Sequence, residues 1–437
     1  MSEKEGHMNI NGERIYKLAK EIFPICRSIT GEGVRETLSI LSDYISENMT
    51  IHDVPSGTQV FDWTVPKEWK IRQAYIEDEQ GKKIIDFKDN NLHVMGYSTP
   101  IDKWASLEEL KKYIYTQQDQ PDVIPDVTSY YKEEFGFCMS ENQKNSLVDG
   151  KYHMYIDSEL FDGSLTYGEV VIPGQTQEEI FFSTYVCHPS MANNECSGPA
   201  LTAELINWIR ARKNNRYTYR FIFIPETIGS ITYLSRNLDF LKAHMKAGFV
   251  LTCVGDNREY SMVESKYGKT LADKVLKNVL SYHAPQYKKY SFLQRCSDER
   301  QYNAVGVELP VVAFCRSKCD EYPEYHTSMD NMTLVSPEGF QGSFDVITQV
   351  VEALEYNHYY KVNITCEPQL GKRGLYPTVS QKGSYGGVLE MKDFIAYADG
   401  KNDLIDISNI INVPVGRLCE IIEKLDKTGM LDKEPIH

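Results

Sequence analysis

The chain has 437 residues, of which 41% are hydrophobic and 25% are charged, and its formal net charge is −15. A chain of this length exceeds one ordinary hydrophobic core, so we expect two or three domains. The acidity argues against general binding of nucleic acids or anionic membranes, because both require clustered Lys and Arg. No segment approaches the ~20 consecutive apolar residues that a membrane-spanning helix needs.

Cysteine usage is typical of a reducing compartment. The ten cysteines are scattered and form no CxxC pair, and the closest two are Cys315 and Cys319. This spacing differs from the disulfide framework of a small secreted domain, so we expect reduced thiols. The polar N-terminal residues contain no apolar signal core, and a cytoplasmic location is therefore expected.

The first part of the chain predicts two helices followed by a β-rich segment. Apolar residues recur at helical spacing within residues 8–53, on both sides of a turn at Ser28–Gly33. From about residue 54, apolar and polar residues alternate, and aromatic and β-branched types dominate, which is typical of strands. We interpret residues 54–140 as a β-rich domain inserted into a larger α/β domain, which comprises residues 8–53 and 141–380.

Strands and helices then alternate, which predicts a mostly parallel sheet flanked by helices. After an apolar strand that ends shortly before His188, we expect a helix at 197–212, a strand at 219–224, a helix from 230, a strand at 248–254, a helix at 267–282, a strand at 310–314 and a helix at 337–356. The predicted class is α/β: a mixed, mostly parallel sheet with an inserted β-rich domain and a small C-terminal winged-helix domain.

The C-terminal domain is expected at residues 385–437, after a small-residue linker at 380–387. Its short apolar helices are broken at Asp399-Gly400 and at Val413-Pro414, which indicates a winged helix or a related helix-turn-helix. Residues 391–437 carry six Lys and Arg against nine Asp and Glu, whereas a DNA-reading domain needs a basic recognition helix. We therefore expect this domain to bind a partner protein or a second copy of the chain.

Four side chains that could bind a metal or move a proton lie at the ends of successive segments of the α/β region. His188, Glu226 and Asp256 each closely follow an apolar strand, and His326 lies in a polar loop ahead of the last helix. Open α/β sheets bind ligands at the carboxyl edge of their strands. Zinc hydrolysis needs His, Asp or Glu ligands, a bound water and a carboxylate that moves protons. Each residue alone is also typical of a helix cap or of a polar group that is hydrogen-bonded within the protein. Together, the four residues predict a site at which they converge on one cation.

Six motifs carry a resemblance that spans nearly the whole chain. They are FPICRSITGEGVRETL, FDWTVPKEW, CHPSMANNECSGP, IPETIGSITYLS, SDERQY and YHTSMDN. This set resembles the bacterial aminopeptidase-like proteins found in polysaccharide-biosynthesis gene sets, which are relatives of the co-catalytic zinc aminopeptidases. The resemblance implies an aminopeptidase-type α/β domain, an inserted β-rich domain and a C-terminal winged helix.

The resemblance also implies roles for individual residues. His188 matches the histidine of the first zinc ion, and Asp256 matches the aspartate that shares this ion. His326 matches the histidine of the second zinc ion. Glu226 falls on the general-base glutamate, which activates the metal-bound water.

Two positions depart from the peptidase pattern. Asn194 stands where the bridging aspartate is expected, with Glu195 adjacent to it, and Thr227 replaces a second glutamate ligand. A neutral amide bridges two cations poorly, because no formal negative charge offsets their repulsion. Either Glu195 takes over as a ligand, with Asn194 beside the metal, or the site holds one zinc ion.

Substrate-binding candidates lie in two further motifs. Asp298, Glu299 and Arg300 form one charged group; the arginine suits a carboxylate, through two parallel hydrogen bonds, and the acids suit an amine. The alternative for these three residues is a solvated turn. Tyr325 is a candidate for stabilising an oxyanion or, equally, for aromatic packing.

The sequence therefore predicts a zinc-dependent hydrolase of the aminopeptidase type, which cleaves a peptide or related amide bond with a metal-activated water. We expect one zinc ion around His188 and Asp256, with either Glu195 or His326, and two ions are the alternative. A competing hypothesis is a catalytically altered scaffold or ligand-binding regulator that acts through the winged helix. The expected partners are a small amide substrate and a protein at the winged helix, and neither nucleic acid nor a membrane is expected.

Overall fold

A computed structural model of the chain describes residues 10–375 and 386–435. The helices, in chain order, are α1 (Ile10–Ile22), α2 (Glu32–Tyr44), α3 (Leu107–Leu110), α4 (Glu141–Asn145), α5 (Ser197–Ala211), α6 (Ile228–His244), α7 (Leu271–His283), α8 (Glu299–Tyr302), α9 (Pro337–Tyr356), α10 (Gly386–Tyr397), α11 (Leu404–Ile411) and α12 (Val415–Asp426). A π-helical turn, Ala192–Cys196, leads into α5.

The strands complete the description. In chain order they are β1 (Thr50–Pro55), β2 (Gln59–Val60), β3 (Trp63–Thr64), β4 (Glu68–Asp78), β5 (Lys83–Asp86), β6 (Ile101–Ser106), β7 (Ile114–Tyr115), β8 (Phe137–Cys138), β9 (Lys151–Phe161), β10 (Ser164–Ile172), β11 (Glu179–Tyr185), β12 (Thr218–Ile224), β13 (Met245–Leu251), β14 (Ser261–Val263), β15 (Lys288–Tyr290), β16 (Val311–Cys315), β17 (His358–Val362), β18 (Asp399–Asp403) and β19 (Leu431–Pro435). The described residues form two compact units: the first runs to Gly268 and resumes at Lys288–Phe344, and the second comprises Lys269–Tyr287 and the residues from Asp345 onward.

The first unit is built on an eight-stranded mixed sheet in the order β1-β10-β12-β11-β13-β16-β14-β15. Its centre is parallel, because β11 pairs in parallel with both β12 and β13, and β13 pairs in parallel with β16. Antiparallel pairs join β1 to β10, β10 to β12 and β14 to β16. The predicted α/β class with a mixed, mostly parallel sheet is confirmed. Helix α9, the last helix that the sequence predicted for the α/β domain, has the predicted bounds.

The core of this sheet is aromatic and tightly packed. Every residue of β11 is buried, and the ring of Phe182 stacks on Phe221 and Phe249 of the two neighbouring strands, at centroid distances of 5.2 and 5.4 Å. Helix α5 lies directly against these strands at Gly198, where a Cβ atom would overlap Thr184 and the backbone of Leu251. This close contact explains the small-residue turn that follows the CHPSMANNEC motif, and it fixes the entry of α5 beside the sheet edge.

The inserted region contains a four-stranded antiparallel sheet in the order β5-β4-β9-β6. Strand β9 pairs with both β4 and β6 and is therefore a central strand of this sheet. Since β9 begins at Lys151, the sheet extends beyond residue 140, where the sequence placed the end of the insertion. The strand-like sequence of β9 resembles that of the next strands of the α/β domain, so its pattern alone did not show which sheet it joins.

The second unit contains a three-stranded sheet in the order β18-β17-β19, together with α10, α11 and α12. Strand β17 lies before the expected start of the C-terminal domain at residue 385, yet it pairs with both other strands of the sheet. The predicted linker at residues 380–387 lies mostly outside the described residues.

Two further expectations concern membranes and cysteines. Among the described residues, no helix is long and apolar enough to cross a membrane. The expectation of fully reduced thiols is wrong in one place, since Cys296 and Cys319 form a disulfide with a Cα–Cα distance of 6.3 Å. These residues are 23 positions apart and meet only because the loop before α8 and the loop after β16 fold against each other, which cysteine spacing did not indicate.

Phe182→Ala should lower the free energy of unfolding by about 3–5 kcal/mol, because it removes a ring stacked between two others in a core that relaxes only partly. Urea denaturation measures this change. Leu293→Ala is the matched control: this side chain is 85% exposed, and its loss should change the free energy by less than about 0.5 kcal/mol. Equal effects of the two substitutions would contradict this description of the core.

Candidate active site

The first unit contains a cavity of about 240 Å³ at the carboxyl ends of β11 and β12. Its sheet side is lined by four groups that the sequence singled out, and its opposite side by residues of the inserted region. The sheet side presents His188, Glu226, Arg300 and His326, and the inserted region presents Trp63, Asp126 and Tyr131. The cavity therefore lies at the sheet edge where the sequence predicted a site, and both parts of the first unit contribute to it.

His188 follows β11 and is held in one orientation by Glu195. The Oε2 atom of Glu195 accepts hydrogen bonds from the backbone N–H of His188 and lies 3.0 Å from its Nδ1 atom. The other ring nitrogen, Nε2, lies 3.8 Å from Oε2 of Glu226. A carboxylate at one nitrogen of an imidazole fixes the tautomer and leaves the other nitrogen free for chemistry or for a metal. The structure therefore turns Nε2 of His188 toward Glu226.

Glu195 is itself anchored by a buried arginine. Nε of Arg27 lies 3.4 Å from Oε1 of Glu195 and donates a hydrogen bond to the backbone carbonyl of His188. Burial disfavours the imidazolium form, but Cys187 and Glu195 favour it and raise the pKa of His188 well above its usual range. Arg27, Glu195 and His188 thus form a chain of buried charges, in which the predicted ligand Glu195 orients a histidine instead of facing the cavity.

Glu226 follows β12 and faces the cavity with few partners. Its Oε2 atom lies 3.8 Å from His188, and its Oε1 atom lies 4.0 Å from Nη2 of Arg300. Both separations exceed hydrogen-bond length. Burial raises the pKa of Glu226, while His188 and Arg300 oppose that rise. A buried carboxylate with a raised pKa and unfilled oxygens has the properties of a general base.

His326 comes from the loop ahead of α9 and completes the sheet side of the cavity. Its ring stacks on Tyr325 with a centroid distance of 4.0 Å and lies 5.3 Å from the ring of His188. Its Nε2 atom is buried without a hydrogen-bond partner. Burial and the nearby His188 lower the pKa of His326 to about 3, so its imidazole is neutral. A neutral imidazole with an unfilled nitrogen is a suitable metal ligand.

Asp256 does not join these groups. Its carboxylate accepts four hydrogen bonds, from the side chain of Asn193, the backbone of Arg258, and the backbone and hydroxyl of Ser317. Because an ionised carboxylate has about four acceptor sites, protein groups fill them all. Asp256 therefore joins the loops at the sheet edge, and its role as a metal ligand stays a prediction from the sequence.

Asn194 is also turned away from the cavity. Its Oδ1 atom accepts a short hydrogen bond from Tyr185 and lies 3.8 Å from Sγ of Cys253, and its Nδ2 atom is buried without a partner. The backbone N–H groups of Asn193 and Asn194 donate to the carboxylate of Asp330 at 2.6 and 3.0 Å. Asp330 therefore fixes the π-helical turn that carries Glu195.

The predicted substrate residues separate into different roles. Glu299 is buried, and its carboxylate accepts from the backbone N–H groups of Cys296 and Ser297. Asp298 lies behind the cavity wall, where its Oδ1 atom accepts from the backbone of Thr227 and its Oδ2 atom has no partner. Arg300 alone of the three lines the cavity, and it donates a short hydrogen bond to the hydroxyl of Thr227.

Asp126 is the site residue that the sequence missed. It lies in the inserted region, its carboxylate faces the cavity, and its Oδ2 atom lies 4.0 Å from Nδ1 of His326. It sits in the loop-rich stretch QPDVIPDVTSYY, where acidic residues are common and no strand or helix marks its place. Only the tertiary contact between this stretch and the His326 loop brings it to the site.

Few of the predicted ligands keep a donor atom that is unfilled and faces the cavity. Cys187, His188 and Glu195 are near enough to one another to hold an ion, but Nδ1 of His188 is already satisfied by Glu195, and Arg27 opposes a second positive charge there. Asn194 and Asp256 have no free acceptor toward the cavity. The unfilled groups are Nε2 of His188, Nε2 of His326 and the carboxylate of Glu226, which are two imidazoles and one acid. Catalytic zinc sites use donors of these types.

Comparison with known proteins agrees with this architecture. The family described as a domain of unknown function, DUF4910, matches residues 16–357, and a winged helix-turn-helix family matches residues 358–433. A Clostridium acetobutylicum protein, provisionally named a polysaccharide biosynthesis protein with an aminopeptidase-like domain, is 47% identical over 399 residues and matches 91% of both chains. The predicted resemblance and the winged helix are thereby confirmed.

Solved structures extend the comparison. The crystal structure of a provisionally assigned peptidase from Clostridium acetobutylicum has 43% sequence identity and a TM-score of 0.92, covering 98% of both chains. A zinc aminopeptidase from Bacillus subtilis has 13% identity and a TM-score of 0.57, covering 78% of this chain and 93% of its own. The second match, at low identity, shows that the fold is aminopeptidase-like.

The buried carboxyl of Asp298 should make stability depend on pH. Burial and the nearby Glu226 raise the pKa of Asp298 to about 7, well above the ~3.9 of an unfolded chain. The protonated form is therefore favoured in the folded state, and its stabilising effect is lost as pH rises from about 4 through 7. Asp298→Asn should thus gain stability relative to the parent protein between pH 5 and pH 8. Urea denaturation at both values tests this, and a constant difference would contradict the assignment.

Proposed function

Because the chain belongs to the DUF4910 family and has an aminopeptidase-like fold, we propose that it is a metal-assisted amide hydrolase that uses a single zinc ion. The observation that carries the proposal is the convergence of His188, His326 and Glu226 on one cavity with unfilled donor atoms. Nε2 of His326 is buried without a hydrogen-bond partner, which is costly unless a ligand satisfies it. Together with Nε2 of His188 and the half-buried carboxylate of Glu226, it supports a site that a cation and a substrate complete.

In this proposal, His188 and His326 would hold the ion through their Nε2 atoms. Glu195 and Arg27 keep the first imidazole in the required orientation. A bound zinc ion would polarise the substrate carbonyl and lower the pKa of water. Glu226, with its raised pKa, accepts the proton of the attacking water and returns it to the leaving nitrogen. Arg300, beside Glu226, binds a carboxylate or another anionic group of the substrate.

Two imidazoles are one ligand fewer than the three protein ligands of most catalytic zinc sites. The expected ion is therefore more weakly bound than a structural zinc ion. Zinc binds the deprotonated form of an imidazole, so its binding should strengthen as pH rises. The substrate class includes amides of amino acids and of acylated sugars; the name of the Clostridium relative favours including the sugar amides.

A second candidate function rests on a different observation. The acidic groups that the sequence placed around zinc are engaged elsewhere: Glu195 by His188 and Arg27, and Asp256 by four hydrogen bonds. A cavity from which these two acidic groups are withdrawn is suited to binding a small polar ligand without hydrolysing it. In that case the protein is a ligand-binding regulator, and its winged helix contacts a partner protein.

Metal stoichiometry separates the two functions. Dialysed protein, titrated with zinc at pH 8, should bind one equivalent in the cavity, and His188→Ala and His326→Ala should each lose it. His244→Ala is the control, since this histidine lies in the last turn of α6, and it should bind zinc as the parent does. Asp256→Asn should also keep the ion. Two cavity equivalents, or none, as judged by the loss in His188→Ala, would contradict the single-ion proposal.

Glu226→Gln removes the proton acceptor and keeps the shape of the side chain. We expect kcat to fall by about 10²- to 10⁴-fold, the usual contribution of a general base, while zinc binding is retained. The assay uses the zinc-loaded protein with panels of amino-acid 4-nitroanilides and N-acetylated amino sugars. Glu308→Gln, at an exposed residue that pairs with Lys266, is the control. Full activity of Glu226→Gln would overturn the assigned role.

A further inference from the structure

We propose that Asp126, from the inserted region, is a positioning residue that orients His326, as Glu195 orients His188. The inference rests on the proposed function, because it gives the inserted region a part in the same site. It assigns to that region a role that neither the fold nor the sequence motifs supply.

The inserted region reaches His326 through a segment that we call the strap, residues 120–131. The backbone N–H of Asp126 donates to the carbonyl of His326 at 2.9 Å, and Pro125 forms an isolated bridge with Thr327. Ile124 and Ser328 exchange two further hydrogen bonds. The strap therefore docks along the His326 loop by its backbone and places residue 126 beside residue 326.

His326 has an uncommon backbone conformation. Its φ angle is +54°, in the left-handed region that only a few per cent of residues other than glycine adopt, with Asn, Asp and His the most frequent among them. Uncommon backbone conformations persist when surrounding contacts hold them in place, and such residues cluster at functional sites. Hydrogen bonds from the strap hold one side of His326 in place, and the stacked ring of Tyr325 contacts the other side.

The side chain of Asp126 is buried, and its carboxylate oxygens lack hydrogen-bond donors among the described residues. Its Oδ2 atom lies 4.0 Å from Nδ1 of His326. A buried carboxylate gains most from a partner that is already adjacent, and the adjacent partner is the Nδ1–H of His326.

The two histidines of the cavity then have matching surroundings. Glu195 contacts Nδ1 of His188 at 3.0 Å, and Asp126 approaches Nδ1 of His326 at 4.0 Å. Nε2 of His326 has no partner. Carboxylates that hold the outer nitrogen of a histidine fix its tautomer and make the inner nitrogen a better ligand. The shorter contact is already a hydrogen bond, and we expect the longer one to shorten when a cation binds, as contacts in unliganded sites do.

The tautomer of His326 tests the inference without any metal. Zinc-free protein labelled with ¹⁵N-histidine is examined by long-range ¹H–¹⁵N correlation at pH 7.5, and His326→Gln assigns the signal. The parent protein should show the proton on Nδ1. Asp126→Ala should lose this preference, whereas Asp126→Asn, which keeps an acceptor oxygen, should preserve it. A parent protein with the proton on Nε2, or an unchanged tautomer in Asp126→Ala, would overturn the proposal.

Zinc affinity gives the second measurement. In competition with a chelator, Asp126→Ala should bind zinc about 10- to 100-fold more weakly, the usual effect of losing such a partner. Glu133→Ala is the control, at an exposed acid beside the strap that pairs with Lys67, and it should match the parent. Thermal unfolding of the zinc-free variants shows whether a loss reflects misfolding.

The outcomes distinguish this inference from the proposed function. If the parent binds no zinc but Asp126 sets the tautomer of His326, the positioning role stands and the metal-assisted hydrolase fails. If Asp126→Ala keeps both the tautomer and zinc affinity but loses binding of leucine amide, the carboxylate holds a substrate cation, and the positioning role is overturned.

Discussion

The site depends on the buried chain from Arg27 through Glu195 to His188. A buried carboxylate is tolerated only when it is paired and hydrogen-bonded, and removal of one partner of a buried ion pair typically costs about 3–5 kcal/mol. Arg27 supplies the charge, and the backbone and ring of His188 supply the donors. The same contacts turn Nε2 of the histidine toward the cavity. One interaction therefore stabilises the sheet edge and aims the imidazole.

This constraint leaves few acidic groups free at the sheet edge. The carboxylate of Glu195 is occupied by its contacts with His188. The carboxylate of Asp256 accepts four hydrogen bonds that join three loops. Asn194 contacts Tyr185 within the protein interior. The cavity retains two imidazoles, one carboxylate and one guanidinium, and the inserted region adds Asp126 and aromatic side chains. The fold is aminopeptidase-like, and the groups at its sheet edge that line the cavity are centred on two histidines.

Much of the fold could be predicted from the sequence, because apolar strands and capped helices carry local signals. The helix Pro337–Tyr356 has its predicted bounds, and the strand before His188 lies at the centre of the sheet. Partner choice carries no such signal. The sequence therefore placed residues 151–161 in the α/β domain, whereas β9 pairs within the sheet of the inserted region. The same reason explains the site: position after a strand indicated His188 and Glu226 well, but it did not show that Asp256 would be saturated or that a distant strap would deliver Asp126.

The most direct test of the account is anomalous diffraction at the zinc absorption edge from crystals soaked in zinc. The account predicts one peak in the cavity, bonded to Nε2 of His188 and Nε2 of His326, with Glu226 beside it and Asp256 still bound to Ser317. A pair of peaks that recruits Asp256 or Asn194, or an ion held by Cys187 and Glu195 in place of His326, would contradict it. An empty cavity at saturating zinc would leave the ligand-binding alternative in its place.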